Sequence, residues 1–201
     1  KYSSLLNIKI IIMSATLPNL SKLGADKYVS VRLIKDREKY YNDELFKNRV
    51  KIDYSLLDND TINGKKTKDE KIEALLGKII DAYYYNKSVK GNTNKILVEF
   101  INKGTAIEAY NKLKKEMGQD NVFLITGDDN KLERKRIINK VKEMDDCILI
   151  GTQAIEAGVD IDMDIGFKDS SMLDSEEQFL GRINRSCKKI NCKAYFFNID
   201  A

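Results

Sequence analysis

From residue 94 onward, uniformly apolar runs alternate with segments whose apolar residues recur every three to four positions. The runs predict buried strands, and the amphipathic segments predict helices that pack on them. Such an alternation indicates a mostly parallel sheet covered on both faces, and right-handed crossovers limit the topology to a doubly wound α/β domain. The expected strands are 95–101, 122–125, 147–150 and 193–199, and the expected helices are 105–117, one capped by Asn130 and one from Asp174 to about Arg185.

The start of the chain has a different pattern. Residues 8–13 form an apolar run with four isoleucines, which predicts a buried strand, and Ser14-Ala15-Thr16 and the sole proline, Pro18, follow it. Nothing upstream supplies neighbouring strands for this run. Residues 1–24 are therefore expected to be the end of a preceding domain, and residues 25–201 a second domain.

Between these regions the pattern is weaker. Alternating apolar residues over 50–57 predict a strand with one solvated face, and the polar stretch 58–68 predicts a loop. Thr67 and Glu70 then form a capping-box pattern that predicts the start of a helix. Asn130 and Glu133 predict a second box of the same kind. The apolar face of the helix after Thr67 carries Ile72, Leu75, Leu76, Ile79, Ile80 and Tyr83.

Composition excludes several classes of function. The 201 residues include no His, so a Ser-His-Asp triad and a His-built metal site are excluded, and no metal site is expected. Three cysteines without a secretory leader indicate a reducing compartment, and zinc at Cys187 and Cys192 would need two further ligands. No apolar run reaches the ~20 residues of a bilayer span, so we expect a cytoplasmic protein without membrane contact. The net charge of +4 is too small to indicate nucleic-acid binding by itself.

Ligands of open parallel sheets bind at loops after the carboxyl ends of the strands. Two such segments follow strands here, residues 151–162 and residues 178–185. Arg182 and Arg185 are three positions apart on the expected helix, so we expect both to project from one helical face, where two guanidinium groups suit a phosphate. Gly181 would allow close approach of the backbone.

These segments resemble motifs of superfamily 2 helicases. Residues 152–162 (TQAIEAGVDID) resemble motif V, and Gln178, Gly181, Arg182 and Arg185 resemble motif VI. Ser14-Ala15-Thr16 resembles motif III, and residues 102–106 resemble the motif IV region. The wording of motifs V and VI is most similar to the CRISPR-associated helicase-nuclease of type I interference systems. The resemblance covers residues 8–18 and about 94–199, and it does not extend through 25–90.

The resemblance implies a RecA-like second motor domain of an ATP-dependent single-stranded DNA translocase. Arg182 and Arg185 would be arginine fingers that reach the γ-phosphate of ATP held on the other domain, and Gln178 would help to orient that site. A surface helix that pairs with Glu176 or Glu177 is the alternative. Relatives often place Arg directly after the Gln, where this chain has Phe179.

Further roles follow from the same resemblance. Gly158 and Asp160 would approach the nucleotide, although a tight turn also explains both. Nucleic-acid phosphates would be contacted by Thr152, Gln153, Asn102 and Thr105, although a strand threonine and simple helix capping remain alternatives for Thr152 and for the last two. Ser14, Ala15 and Thr16 would couple hydrolysis to movement.

The sequence has no phosphate-binding loop of the form GxxxxGK followed by Ser or Thr, and it has no Walker-B carboxylate. We therefore expect ATP and Mg²⁺ to be bound mainly by the missing first domain, and this fragment to be inactive alone. Expected partners are single-stranded DNA, the first motor and nuclease domains of the same protein, and a crRNA-guided surveillance complex. An RNA helicase, a restriction-type motor and a non-catalytic α/β binding module remain open as alternatives.

Overall fold

The computed structural model describes residue 11 and residues 34–36, 38–57, 66–88, 93–118, 120–155 and 159–200. The Cα positions divide the chain into two units, Lys1–Tyr40 and Tyr41–Ala201. Apart from Ile11, the strand expected at 8–13 lies outside the described residues, as do Ser14, Ala15 and Thr16. The domain boundary expected near residue 24 stays a prediction.

In the second unit, the described strands form one six-stranded sheet in the order β1-β6-β5-β2-β4-β3, and every neighbouring pair is parallel. The doubly wound α/β architecture expected from the sequence is confirmed. The strands are β1 (Lys51–Leu56), β2 (Asn94–Glu99), β3 (Val122–Ile125), β4 (Asp146–Gly151), β5 (Ile165–Asp169) and β6 (Lys193–Phe197).

Helices cover both faces of the sheet. Alternate residues of β2 point into separate cores, because successive side chains of a strand face opposite ways: Ile96 and Val98 join one core, and Leu97 joins the other. None of the helices in the described segments has both the length and the apolar character of a membrane span. The helices are α1 (Glu38–Tyr41), α2 (Glu44–Lys47), α3 (Lys68–Ser88), α4 (Lys103–Met117), α5 (Lys131–Glu143) and α6 (Leu173–Leu180), with a 3-10 turn at Gln153–Ile155.

The predicted helix caps are present. The Thr67 N–H donates to Glu70 Oε2 at 2.7 Å, and the Glu70 N–H donates to Thr67 Oγ1 at 3.3 Å, which completes the capping box of α3. Asn130 Oδ1 accepts from the Glu133 N–H at 2.9 Å at the start of α5. The Glu133 carboxylate forms an ion pair with the Arg136 guanidinium one turn along the helix. The second predicted box therefore has only the bond to Asn130 Oδ1.

Strand β1 departs from its predicted burial. The expected core face includes Ile52 and Tyr54, yet these side chains are 45% and 57% exposed. The register with β6 shifts between Asp53 and Leu56, which breaks the strict alternation on which the prediction rests. Leu56 packs on the core that contains Ile96, whereas Leu57 packs on the opposite core.

Helix α6 ends at Leu180, about five residues before its predicted end at Arg185. Backbone groups that would continue the helix bond to the segment before β5: the Met163 N–H donates to the Arg182 carbonyl at 2.9 Å, and the Asn184 N–H donates to the Met163 carbonyl at 2.8 Å. Ile183 thereby forms a parallel bridge with Met163. The prediction that Arg182 and Arg185 share one helical face is wrong, because a tertiary backbone contact replaces the local helical bonds.

Candidate functional site

Residues 181–185, which we call the arginine turn, lie at the amino edge of the sheet. The turn is bridged to Met163, and the next residue, Asp164, bonds to the amino ends of two strands. The Asp164 N–H donates to the Lys95 carbonyl at 2.8 Å, and the Asp164 carbonyl accepts from the Lys193 N–H at 3.4 Å. The expectation that both motif segments lie at the carboxyl ends of strands is therefore wrong for residues 159–162 and for the arginine turn.

Motifs V and VI meet in a group of charged side chains, which we call the amino-edge cluster and which comprises Lys142, Asp160, Arg182 and Arg185. Arg185 Nε lies 3.1 Å from Asp160 Oδ1, and Lys142 Nζ lies 3.0 Å from Asp160 Oδ2. The hydrogen bond from Lys142 lowers the pKa of Asp160 most, and the charges of Lys142, Arg185 and Arg182 lower it further. Sequence reasoning missed Lys142 because it is one of many polar residues on α5, and only the fold places it beside Asp160.

The backbone also connects the two motifs, because the Arg185 N–H donates to Asp162 Oδ1 at 2.7 Å. A cavity of about 230 Å³ lies beside the cluster. The Asp160 side chain is 71% exposed and that of Arg185 is 47% exposed, so both can reach a ligand that arrives from solvent. The cavity is lined by Lys95, Val141, Lys142, Asp160, Ile161, Asp162 and Met163.

Two further residues predicted to lie near the nucleotide, Gln178 and Gly181, are at the end of α6. Gln178 lies half-buried on α6. Gly181 has φ −62°, an ordinary right-handed conformation, and a Cβ there would lie 3.2 Å from the Gln178 carbonyl oxygen. Glycine therefore relieves a tight contact at this turn and is not required by the backbone dihedral. Gly158 lies outside the described residues.

Phe179, which departs from the usual motif VI, points into the core. Its side chain is 1% exposed, and its ring packs on Gly166 of β5, where an added Cβ would lie 2.7 Å from Phe179 Cε1. The departure therefore strengthens the packing of α6 on the sheet, and Phe179 contributes no polar group to the amino-edge cluster.

The predicted nucleic-acid residues lie at the opposite edge. Asn102 begins α4, and its Oδ1 accepts from the Gly104 N–H at 2.7 Å. The Asn102 N–H donates to Asp200 Oδ2 at 3.1 Å, and the Thr105 hydroxyl donates to Asp200 Oδ1 at 2.9 Å. Thr105 is 2% exposed. A carboxylate of this chain thus occupies the helix N-terminus, which favours the capping alternative for Thr105, whereas Asn102 stays exposed.

Thr152 and Gln153 follow β4 at the same carboxyl edge. The Phe100 N–H donates to the Gly151 carbonyl at 2.9 Å, which keeps the ends of β2 and β4 adjacent. Thr152 is half-buried, and its N–H donates to the Ile125 carbonyl at 3.3 Å, while Gln153 is exposed. We call Asn102, Thr152 and Gln153 the carboxyl-edge surface.

Beneath this surface lie buried charges that the sequence did not predict as partners. Lys168 of β5 binds Glu99 of β2, and both side chains are 2% exposed. Lys168 Nζ also lies 2.8 Å from the Ser175 hydroxyl on α6. Burial raises the pKa of Asp169 to about 6, and the charge of Asp200 adds to this effect, while bonds from main-chain N–H groups oppose it.

The cysteines are free thiols, and Cys147 and Cys192 are buried. Burial raises the pKa of each of these two thiols to about 12, which disfavours the reactive thiolate. Among the described residues, no group of three or more Cys, Asp or Glu side chains has the arrangement of a metal site.

The chain matches one protein family over the region that contains this site. Residues 92–188 match the family described as CRISPR-associated nuclease/helicase Cas3, C-terminal. The matched region includes the residues of motifs V and VI, so the resemblance expected from their sequences is confirmed over residues 92–188. No curated protein sequence matches the chain.

Solved helicase structures have the same fold. Domain 2 of the DEAD-box helicase Mss116p, bound to an RNA duplex, matches with a TM-score of 0.57 and 18% identity over 67% of this chain and 52% of that one. Cas3 of T. fusca with AMPPNP matches with a TM-score of 0.52 and 14% identity over 76% of this chain and 18% of that one. The Mycobacterium smegmatis helicase Lhr, bound to ssDNA and AMP-PNP, matches with a TM-score of 0.53 and 13% identity over 74% of this chain and 19% of that one. The chain thus spans about half of the first protein and under a fifth of the others.

Proposed function

We propose that this chain, whose residues 92–188 belong to the Cas3 C-terminal family, acts as the second motor domain of an ATP-dependent single-stranded DNA translocase in type I CRISPR interference. The observation that carries the proposal is the contact between Arg185 Nε and Asp160 Oδ1 at 3.1 Å. It brings the arginine of one helicase motif to the aspartate of the other, on a surface open to solvent.

On the nucleotide side, Arg182 and Arg185 act as arginine fingers toward ATP bound by the first motor domain. Bound ATP supplies the phosphoryl group whose transfer drives movement. The Arg185–Asp160 pair is exposed, and such pairs contribute little to stability, so a phosphate can replace Asp160 as the partner of Arg185. Asp160 then accepts from a ribose hydroxyl or braces an arginine, and Gln178, Gly158 and Gly181 shape the approach.

ATP and Mg²⁺ are bound mainly by the first motor domain in this proposal. The 201 residues contain no phosphate-binding loop of the GxxxxGK type, and an arginine finger without such a loop cannot catalyse hydrolysis. The chain alone is therefore proposed to have neither ATP hydrolase nor nuclease activity.

On the nucleic-acid side, Asn102, Thr152 and Gln153 contact the DNA backbone, and Thr105 supports them by fixing the start of α4. Contacts to phosphates carry little sequence preference and weaken as salt concentration rises. Ser14, Ala15 and Thr16 couple hydrolysis to movement along the strand. The nuclease domain of the same protein and a crRNA-guided surveillance complex are the proposed partners.

The test is ATP hydrolysis by the complete protein with saturating single-stranded DNA. We expect Arg182→Ala and Arg185→Ala each to lower kcat by roughly 10³-fold, the lower end of the effect of an arginine finger. Arg136→Ala, which removes an arginine from an exposed pair on α5, is the matched control and should leave kcat unchanged. Full activity without Arg182 and Arg185 would favour a non-catalytic binding module.

A further inference from the structure

Arg49 contacts the arginine turn from a part of the chain that lies outside the matched family region. It precedes β1, and its Nη2 donates to the Leu180 carbonyl at 3.1 Å across 131 positions of sequence. Leu180 is the last residue of α6 and immediately precedes the arginine turn. The guanidinium of Arg49 therefore meets the helix at the point where it ends.

This contact replaces a helical hydrogen bond. In a continuing α-helix, the Leu180 carbonyl would accept from the N–H of Asn184, four residues later. That N–H donates to the Met163 carbonyl at 2.8 Å, and the Leu180 carbonyl accepts from the Ile183 N–H at 3.1 Å as well as from Arg49. Arg49 thus satisfies a terminal carbonyl of α6, where a positive charge also complements the helix dipole.

A second contact runs in the opposite direction. Asn184 lies between the two predicted fingers, is 3% exposed and has φ 46°, a left-handed conformation that is uncommon outside glycine. Its Nδ2 donates to the Arg49 carbonyl at 2.9 Å and to the Lys189 carbonyl at 3.0 Å. The Lys189 N–H donates back to Asn184 Oδ1 at 3.0 Å. Arg49 therefore contacts the chain on both sides of Arg182, at Leu180 before the arginine turn and at Asn184 within it.

We propose that Arg49 is a positioning residue for phosphoryl transfer, because it fixes the arginine turn from which Arg182 and Arg185 project. It terminates α6 with its side chain and anchors Asn184 with its carbonyl, and it does not touch the nucleotide. The inference rests on the proposed function of the two arginines. It gives residues before β1 a role that their own sequence pattern does not indicate.

The test is a double-mutant cycle in the complete protein, with kcat normalised to folded protein. Arg49→Ala is expected to lower the kcat of DNA-stimulated ATP hydrolysis roughly tenfold, because small displacements of catalytic groups have large effects on rate. The KM for ATP and the Kd for single-stranded DNA should change less than about twofold, since the fingers act chiefly in the transition state. Arg49→Lys retains one long-reaching donor and should recover most of the rate.

In an Arg185→Ala background, Arg49→Ala should cause little further loss, because residues that act as a unit are not additive. Asn184→Gly keeps the left-handed backbone accessible and removes the side-chain bonds, so it should lower kcat as Arg49→Ala does. Arg136→Ala reports the effect of losing an exposed arginine elsewhere.

Three results would overturn the inference. A normal kcat in Arg49→Ala, with Arg185→Ala slow, rejects the positioning role and leaves the proposed function standing. A slow Arg49→Ala whose loss multiplies fully with that of Arg185→Ala shows an effect independent of the finger. Normal rates in Arg182→Ala and Arg185→Ala reject the proposed function itself, and the positioning role with it.

Discussion

In the amino-edge cluster, the side chains of Lys142, Arg185 and Asp160 are each more than 40% exposed and pair with one another. Asp160 is 71% exposed and is shared by Arg185 and Lys142, which project from different parts of the chain. At the carboxyl edge, the Asp200 side chain is 5% exposed and accepts bonds from the Asn102 N–H and the Thr105 hydroxyl. The ion pairs of the amino-edge cluster are exposed to solvent, whereas the buried Asp200 carboxylate fixes the start of α4.

The difference indicates which charges can exchange partners with a ligand. An exposed pair loses little when one member turns to a phosphate, whereas a buried carboxylate that loses its donors keeps the full cost of its desolvation. The amino-edge cluster is therefore suited to a partner that arrives and leaves with each turnover. At the carboxyl edge, the proposed DNA contacts are assigned to the residues that remain exposed, Asn102 and Gln153, together with the half-buried Thr152.

The largest expected effect comes from removing the buried carboxylate. Asp200→Ala should lower the free energy of unfolding by about 3 kcal/mol, because the Thr105 hydroxyl, the Asn102 N–H and the Lys68 ammonium lose their acceptor. The matched change Asp160→Ala should leave it nearly unchanged, because solvent screens an exposed ion pair. Denaturant titration of both variants measures the contrast, and equal losses would contradict the comparison between the two edges.

The next largest effect is expected in the pH dependence of stability, through Asp169 at the carboxyl end of β5. Burial raises the pKa of Asp169 from 3.8 to about 6, so its contribution to stability is fully present below about pH 4 and is lost as the pH rises through 6. The expected loss is on the order of 2 kcal/mol. Asp169→Asn should flatten this part of the profile, as measured by thermal or denaturant unfolding from pH 4 to 7. Profiles of the same slope in variant and parent would show that Asp169 does not titrate there.

A smaller effect is expected on binding of single-stranded DNA. Thr152→Ala should weaken binding by the complete protein roughly fivefold, about the contribution of one hydrogen bond, and Thr152→Ser should restore it. Fluorescence anisotropy with a labelled oligonucleotide at fixed salt measures the change. The buried Thr105 provides the contrast, because Thr105→Val should reduce stability and leave the affinity of the folded protein unchanged. A weaker affinity of the folded Thr105→Val variant would show that Thr105 itself takes part in DNA binding.

The sequence predicts most of the sheet because strands buried on both faces are apolar throughout. β3 has its predicted bounds, and the bounds of β4 differ by one residue at each end. The apolar pattern does not predict the bounds of β5, because this strand contains two charged residues, Lys168 and Asp169, that are nevertheless buried. Lys168 is neutralised by Glu99, a residue 69 positions away, and such a distant pairing leaves no local signal.

The candidate site shows the same limit. Motif wording identified Asp160, Arg182 and Arg185, and the structure brings Arg185 to Asp160. The edge on which they lie and the end of α6 were predicted wrongly, since both depend on Met163 and Arg49, which bond to the arginine turn from distant positions. Helical periodicity describes only local bonds, so it extended α6 through a turn that tertiary contacts impose.

Binding of a transition-state analogue tests the central claim most directly. ADP with aluminium fluoride resembles the transferring phosphoryl group, so an arginine finger should contribute to its binding far more than to the binding of a non-hydrolysable ATP analogue. For the complete protein with single-stranded DNA, Arg185→Ala should weaken the ADP–aluminium fluoride complex by roughly 100-fold and the ATP analogue by less than about threefold. Equal affinities for ADP–aluminium fluoride in Arg185→Ala and the parent would contradict the assignment of the amino edge to the nucleotide.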